Sequence, residues 1–131
     1  MQVSLDFVCR SINGRIITGN DRHIITGVTT DSRKVKAESL FIALCGEKFD
    51  GHDFVNAALE EGARASVVSR VIDIGGPSED KTLILVDDTL EALQALAASY
   101  RKCFAIPVIA VTGSVGKTTI KDLLALFLSS T

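Results

Sequence analysis

The chain lacks the features that mark membrane, secreted and nonspecific nucleic-acid-binding proteins. No apolar run approaches the roughly 18 unbroken residues of a membrane span, and residues 1–10 have no cationic segment leading into an apolar run, as a secretory signal would. Its 14 basic and 16 acidic residues form no long block of one charge, which excludes a basic footprint for nucleic acid. We therefore expect a cytoplasmic protein in which any phosphate recognition is local.

The chain also lacks closely spaced cysteines and the length of a complete multidomain enzyme. Cys9, Cys45 and Cys103 share no C-x-x-C spacing, so they are predicted to be small buried residues in a reducing compartment and not metal ligands. The 131 residues allow one ordinary domain, or a small domain and the opening of another. Apolar residues spread along the whole chain favour a folded protein.

Helical spacing of apolar residues, together with capping residues, predicts four helices. They span residues 4–14, 53–61, 89–102 and 118–130. For the first helix, Ser4 is a good N-cap and Gly14 a good terminator. Asp88 can cap the third helix, with Glu91 reaching back to it. The buried stripe of that helix is predicted to hold Leu90, Leu93, Ala97 and Tyr100.

Compact or β-branched apolar runs between turn residues predict the strands. They span residues 24–30, with an interruption at Gly27, and residues 40–44, 65–69, 83–86 and 108–111, with a surface loop at 75–81. The alternation of strands and helices predicts an α/β fold, with a domain boundary near residues 86–89.

The most specific chemical signal is the octet T-G-S-V-G-K-T-T, which lies between a predicted strand and a predicted helix. Its glycines allow tight turns that aim backbone N–H groups at phosphate oxygens, and the helix N-terminus adds positive charge. The lysine supplies a charge to the β- and γ-phosphates, and the following threonine hydroxyl suits a magnesium ion. We therefore predict an ATP site, with Lys117 as catalytic residue and Thr118 as metal ligand, formed by Gly113, Ser114, Val115, Gly116, Lys117, Thr118 and Thr119.

The octet departs from the general phosphate-loop pattern at one position. That pattern has glycine at position 111, where this chain has Val111. A bare G-K-T also fits an ordinary strand-to-helix turn with an exposed lysine. The flanking strand and helix and the placement of Gly113 favour phosphate binding.

Two separated blocks resemble the Mur ligases. The octet, with the apolar run 106–111 before it, resembles the ATP-binding loop of that family, whose variant of the motif lacks the first glycine. The segments 30–35, 40–47 and 49–55 are similar to the family's N-terminal nucleotide-substrate domain. Ser114 and Val115 resemble the MurF type, which adds D-alanyl-D-alanine, whereas the MurE type usually has Thr-Asn there.

The resemblance implies an organisation and an activity. Residues 1–87 would form a small α/β domain that binds the UDP-linked substrate, and residues 88–131 would begin a parallel-sheet ATPase domain that continues past Thr131. A MurF-like enzyme uses ATP and magnesium to phosphorylate the carboxylate of UDP-N-acetylmuramoyl-tripeptide, and the amine of D-alanyl-D-alanine then attacks the acyl phosphate. These reactions serve the synthesis of peptidoglycan precursors.

The resemblance also supplies candidates for holding the uridine diphosphate group, which are Ser32, Arg33, Gly46, Asp50, Gly51 and His52. Simpler roles compete with these. Asp31 and Arg33 could form a structural ion pair, and His52 could cap or orient a turn. Asp87 and Asp88 resemble a carboxylate pair, but helix capping explains them better.

Two other functions remain open from the sequence. The chain could be a stand-alone nucleotide-binding module that performs no ligation, or part of a MurE-like ligase that adds a diamino acid. As a fragment it is expected to bind nucleotides weakly and to catalyse nothing. The apolar face of the last predicted helix has no partner strands, so we expect disorder, self-association or domain swapping in the last forty or so residues.

Overall fold

The computed structural model describes residues 1–110, Gly113 and residues 116–129, with only the backbone of Lys117. The elements follow one another in the order β1 (Val3–Ser4), α1 (Leu5–Ile12), β2 (Arg15–Thr18), β3 (Ile24–Ile25), β4 (Gly27–Thr29), β5 (Ser39–Ile42), α2 (Val55–Glu60), β6 (Ala65–Val68), β7 (Thr82–Leu85), α3 (Thr89–Arg101) and α4 (Lys117–Ser129). Two short 3-10 turns, Ser32–Lys34 and Gly51–Phe54, precede β5 and α2 respectively.

A five-stranded sheet in the order β2-β7-β6-β5-β4 forms the centre of the fold. Strands β4 to β7 are parallel to one another, and β2 pairs antiparallel with β7 at one edge. A separate two-stranded pair joins β1 to β3, with Val3 opposite Ile25. The parallel strands with intervening helical segments confirm the predicted α/β fold class.

Alternate residues of the central strands feed two cores, one on each face of the sheet. In β5, Leu40 and Ile42 pack with residues of α1 and α3, while Phe41 packs with residues of α2. Successive side chains of a strand point to opposite faces, and every residue of β5 and β6 is buried. The central strands are therefore covered on both faces, and the loops at their ends remain accessible to a ligand.

Helix α1 begins as predicted and ends one residue earlier than expected. The Ser4 hydroxyl accepts a hydrogen bond from the backbone N–H of Phe7 at 3.1 Å, which confirms the N-cap. Asn13, not Gly14, adopts the left-handed conformation that ends the helix, with φ of 52°. Gly14 is needed for a different reason, since a β-carbon there would lie 2.4 Å from the Ile84 side chain.

Helix α3 confirms its predicted cap but buries a different stripe. The Asp88 carboxylate accepts from the N–H of Glu91 at 3.0 Å. The predicted stripe was wrong, because Leu90 and Ala97 are exposed and Leu93 and Tyr100 are only partly buried. The buried positions are Thr89, Ala92 and Leu96. Apolar residues occupy neighbouring faces of this helix, so their spacing alone did not determine which face packs inward.

Helix α3 packs on the first part of the chain. Its residues Ala92 and Leu96 belong to the same core cluster as Leu5 and Val8 of α1. This contact favours counting α3 with the N-terminal unit, while the division into residues 1–87 and 88–131 stays a prediction.

The apolar residues after α3 are not buried. The predicted strand 108–111 is not formed over its described residues, and Val108 and Ile109 are more than half exposed. Both edges of the five-stranded sheet are occupied by β2 and β4, and no other strand among residues 1–110 and 116–129 pairs with this segment. Helix α4 forms close to its predicted bounds, but Leu123 and Phe127 on its predicted apolar face lie largely in solvent.

In the described parts of the chain, no helix combines the length and the apolar character that a bilayer crossing requires.

Candidate nucleotide-binding site

A cleft of about 410 Å³ opens where β4 and β5 end. Ligands of parallel α/β sheets bind outside the carboxyl ends of the strands, and the volume suits a small-molecule site. Its lining residues come from the loop after β4, from β5 and the loop after it, and from the turn before α2: Thr30, Asp31, Ser32, Arg33, Phe41, Leu44, Phe49, Gly51 and Phe54.

One side of the cleft is polar and is organised by Asp31. This carboxylate accepts from the backbone N–H of Arg33 at 3.0 Å and so caps the 3-10 turn Ser32–Lys34. It also receives two hydrogen bonds from the Arg33 guanidinium, from Nε and Nη2, both at 3.0 Å. The guanidinium holds the pKa of Asp31 below its usual value, and Asp31 raises the pKa of Arg33.

The structural ion pair considered from the sequence is therefore present, and it leaves donors for a ligand. Arg33 Nη1 has no hydrogen bond to the described protein, and neither has the hydroxyl of Ser32. Asp31 holds the guanidinium in one orientation, which lowers the entropic cost of contacting an anion. The polar side of the cleft thus offers an oriented cation and a free hydroxyl.

The other side of the cleft is aromatic. Phe41 forms its buried base, while Phe49 is 70% exposed and Phe54 is 40% exposed at its walls. Leu44 completes the apolar lining. A cleft with aromatic rings on one side and a cation on the other suits a molecule that combines a flat ring with a phosphate.

The wall that carries Phe49 is a short hairpin. Cys45 and Asp50 form an isolated antiparallel bridge, and the N–H of Gly46 donates to the carbonyl of Phe49 at 2.7 Å. Next to it, the N–H of Gly51 donates to the carbonyl of Leu44 at 2.7 Å. A β-carbon at Gly51 would lie 2.7 Å from the backbone N and O of Leu44, so this close approach requires glycine.

His52 anchors the hairpin to the end of β6. Its side chain is 1% exposed, and its Nε2 accepts from the backbone N–H of Ser69 at 2.9 Å. Because Nε2 is an acceptor, the ring is neutral with its proton on Nδ1, which donates to Asp50 Oδ1 at 2.6 Å. The buried His52 ring therefore links the hairpin to the end of β6.

Asp50 gathers the remaining contacts of the hairpin. Its Oδ1 accepts from the backbone N–H of His52 at 2.9 Å and from the Cys45 thiol at 3.3 Å. Its Oδ2 lies 3.1 Å from Nη2 of Arg70. The backbone N–H of His52, followed by the His52 ring, holds the pKa of Asp50 far below its usual value. The carboxylate therefore stays charged over the whole physiological range.

Cys45 is exposed, as is Cys103, so the prediction that the cysteines are buried was wrong for both. Together, Cys45, Asp50 and His52 bring three potential metal ligands within 4.8 Å of one another. Their hydrogen bonds argue against a metal site. The His52 nitrogen that faces the other two carries a proton, because the opposite nitrogen is committed to Ser69. The hydrogen bond to Asp50 also raises the pKa of the Cys45 thiol, which favours the protonated form. The cluster therefore works as a hydrogen-bonded support.

The structure divides the six predicted substrate residues into two groups. Ser32, Arg33 and Gly51 line the cleft, whereas Gly46, Asp50 and His52 lie in the hairpin and its anchor. Direct ligand contact by any of the six stays a prediction. The apolar residues that line the cleft were not predicted from the sequence: Phe41, Leu44, Phe49 and Phe54. The one available signal was that Phe49 and Phe54 flank the D-G-H-D segment.

The predicted ATP loop lies partly outside the described residues. Gly113 and Gly116 have φ of 143° and 80°, a region that favours glycine. Helix α4 begins at Lys117, one residue before its predicted start, and its first N–H groups have no partners within the helix. Ser114 and Val115 lie outside the described residues, as does the Lys117 side chain, so the phosphate cradle stays a prediction.

A protein-family model described as "Mur ligase family, catalytic domain" matches residues 24–101, which include the whole cleft. The UDP-N-acetylmuramoyl-tripeptide--D-alanyl-D-alanine ligase of Synechocystis is 50% identical over 105 residues, or 80% of this chain and 23% of the relative. The UDP-N-acetylmuramoyl-L-alanyl-D-glutamate--2,6-diaminopimelate ligase of Syntrophomonas wolfei is 47% identical over 102 residues, or 76% of this chain and 20% of the relative.

Solved structures give the same similarity in three dimensions. A crystal structure of MurF from Acinetobacter baumannii has a TM-score of 0.88 and 34% identity, covering 99% of this chain and 28% of that one. MurF ligase from Thermotoga maritima in complex with ADP has a TM-score of 0.68 and 35% identity, covering 79% and 23%. The chain thus spans less than a third of the length of each of these relatives.

Proposed function

Because the chain belongs to the Mur ligase family, we propose that it provides the UDP-substrate site and the ATP loop of a MurF-type ligase. Such an enzyme joins D-alanyl-D-alanine to UDP-N-acetylmuramoyl-tripeptide at the expense of ATP, in peptidoglycan precursor synthesis. One of its substrates is UDP-linked, and the three free cysteines of this chain suit a reducing compartment, which supports a cytoplasmic location. Relatives from Synechocystis and Acinetobacter baumannii that bear these names support the assignment.

The cleft between the Asp31–Arg33 pair and the Phe49 hairpin is the observation that carries the proposal. Arg33 and Ser32 would hold the diphosphate, because a guanidinium and a hydroxyl both donate to phosphate oxygens. The aromatic side would take the uridine. Gly46, Asp50 and His52 would keep the hairpin in place behind these contacts.

ATP would bind at the loop 113–119. Gly113 and Gly116 allow the backbone to turn its N–H groups toward the phosphates. The N-terminus of α4 adds a partial positive charge, and the Lys117 ammonium group adds a full positive charge. Ser114, Val115 and Thr119 would complete the loop. The Thermotoga maritima relative was solved in complex with ADP, which supports an adenine nucleotide as a ligand of the proposed enzyme.

Magnesium fits the donors that the chain offers. Thr118 is exposed in the first turn of α4 and presents a hydroxyl oxygen, the hard ligand type that magnesium takes beside phosphate oxygens. When bound, the ion would neutralise charge on the phosphates.

The proposed chemistry proceeds in two balanced steps. A carboxylate oxygen of the tripeptide attacks the γ-phosphorus of ATP, and ADP leaves. The amine of D-alanyl-D-alanine then attacks the acyl carbon, the peptide bond forms, and inorganic phosphate leaves with the transferred oxygen while the amine loses a proton. Lys117 stabilises charge on the transferring group, and the cleft fixes the substrate so that its carboxylate is aligned.

A MurE-type activity is the second candidate. The 2,6-diaminopimelate ligase of Syntrophomonas wolfei is nearly as similar to the chain as the D-alanyl-D-alanine ligases are. The cleft residues would bind the UDP-linked part that both substrates share, so they would not determine which amine is accepted. An assay of which amine a full-length protein accepts separates the two.

Binding by the 131-residue chain tests the proposal directly. We expect UDP-N-acetylmuramoyl-tripeptide to shift the backbone amide signals of Ser32 and Arg33, and magnesium-ATP to shift those of Gly116 and Thr118. Neither ligand alone should be turned over by this chain. Amide signals that move only far from the cleft, or do not move with the UDP-linked tripeptide at saturation, would contradict the substrate assignment.

A further inference from the structure

We propose that Phe49 is the residue that stacks on the base of the bound nucleotide, as a preset aromatic wall of the cleft. The inference rests on the proposed function, since it takes the cleft to be the site of the UDP-linked substrate. Phe49 is not among the six residues predicted from the sequence to hold the uridine diphosphate group.

The exposure of Phe49 is the first observation. Among the residues that line the cleft, Phe49 keeps 70% of its surface open, beside Phe54 with 40%. Phe41, at the base of the same cleft, is 1% exposed and belongs to the core. An aromatic ring held in solvent at the mouth of a binding cleft gains hydrophobic and stacking free energy when a flat ligand covers it.

The rigidity of its support is the second observation. Phe49 lies between Gly46, to which its carbonyl is bonded, and Asp50, which is fixed by the backbone and ring of His52. His52 is in turn held by Ser69 at the end of β6. A backbone fixed in this way loses little further freedom on binding, so most of the stacking energy is retained as affinity.

The arrangement of the cleft is the third observation. Its free donors, Ser32 Oγ and Arg33 Nη1, lie on the loop after β4, while Phe49 and Phe54 lie on the segment after β5. A nucleoside diphosphate likewise has an anionic diphosphate at one end and a planar base at the other. With the diphosphate on Arg33, the base reaches the aromatic side, where stacking requires no particular hydrogen-bonding edge.

The test compares two probes on matched variants of the 131-residue chain. The probes are UDP, which has the base, and inorganic pyrophosphate, which has only the charged end. The variants are Phe49→Ala, Phe49→Tyr, which keeps a ring, and Phe127→Ala, which removes a ring that is 71% exposed on α4 outside the cleft. Dissociation constants are measured by isothermal titration or by amide shifts.

We expect Phe49→Ala to weaken UDP binding by on the order of 10-fold and to leave pyrophosphate binding unchanged. Phe49→Tyr and Phe127→Ala should bind UDP within about twofold of the unmodified chain. Equal UDP affinity in Phe49→Ala and the unmodified chain would overturn the stacking role while leaving the proposed function intact. Failure of the unmodified chain to bind UDP in the cleft would overturn both.

Discussion

The sheet region, residues 1–102, and the described part of the region after it, residues 103–110 and 116–129, both carry apolar faces, but only the first buries them. Every residue of β5 and β6 is enclosed between helices, whereas Val108, Ile109 and Leu123 are more than half exposed. Helix α4 forms close to its predicted bounds, while the apolar segment before it pairs with no strand among the described residues. Periodicity specifies an element, and burial requires a partner element as well.

The same leucine-to-alanine substitution in the two regions should give the largest difference in the free energy of unfolding. Leu40→Ala should lower the free energy of unfolding by about 2–5 kcal/mol, because it leaves a cavity between the sheet and helices α1 and α3. Leu123→Ala, on the exposed face of α4, should change it by less than about 0.5 kcal/mol. Urea denaturation followed by circular dichroism measures both. Equal losses would show that α4 is packed in solution.

Local signals in the sequence predicted the elements that depend on neighbouring residues. The cap of α1 at Ser4, the cap of α3 at Asp88, and the buried strand β5 follow from short patterns. Strands β1 and β2 were missed, because they are short and partly exposed and their partners lie far along the chain, Ile25 for Val3 and Ile84 for Ile16.

The candidate site was predicted only in part for the same reason. Ser32, Arg33 and Gly51 belong to recognisable motifs, and all three line the cleft. Phe49 and Phe54 became cleft walls through two long-range effects, the close approach that Gly51 permits at Leu44 and the bond from Ser69 to His52. Neither effect leaves a periodic pattern in the sequence, so the two phenylalanines beside the D-G-H-D segment do not by themselves indicate a cleft wall.

The anchor of the hairpin should contribute the next largest effect. His52→Ala removes the acceptor of the Ser69 N–H and a donor to Asp50, and should cost about 1–3 kcal/mol of unfolding free energy. The matched control is His23→Ala, since the His23 side chain is partly exposed and makes one hydrogen bond among the described residues, to the Glu79 carbonyl. The control should cost less than His52→Ala in the same urea titration. Comparable losses would mean that the buried network adds nothing beyond an ordinary surface contact.

The pH dependence of the free energy of unfolding tests the role of Asp50 in the hairpin. Because the pKa of Asp50 is depressed in the folded chain, its stabilising contribution is fully present above its ordinary value of 3.8 and is lost as the pH falls through the depressed value. Asp50→Asn should therefore destabilise the protein at pH 7 and narrow the difference in stability between pH 7 and pH 3. Urea titrations at the two pH values measure this. An unchanged difference would show that Asp50 has the same pKa in the folded and unfolded chains.

The smallest effect on stability is expected in the exposed C-terminal region. Leu123→Asp places a charge on the apolar face of α4 and should change the unfolding free energy by less than about 0.5 kcal/mol. If that face drives self-association of the chain, the substitution should shift the sedimentation profile toward monomer. Lys121→Asp, also in α4, is the control for added charge. A monomeric unmodified chain at high concentration would rule out self-association.

Binding of the diphosphate of a uridine nucleotide in the cleft can be tested through the UDP affinities of two variants that each lose one neighbouring positive charge. Arg33→Ala removes the cation oriented by Asp31 inside the cleft, whereas Lys34→Ala removes the same charge one residue away, outside the cleft lining. We predict that Arg33→Ala weakens UDP binding by about 10-fold or more and that Lys34→Ala changes it by less than about threefold. Equal effects of the two substitutions, or none from either, would contradict the assignment.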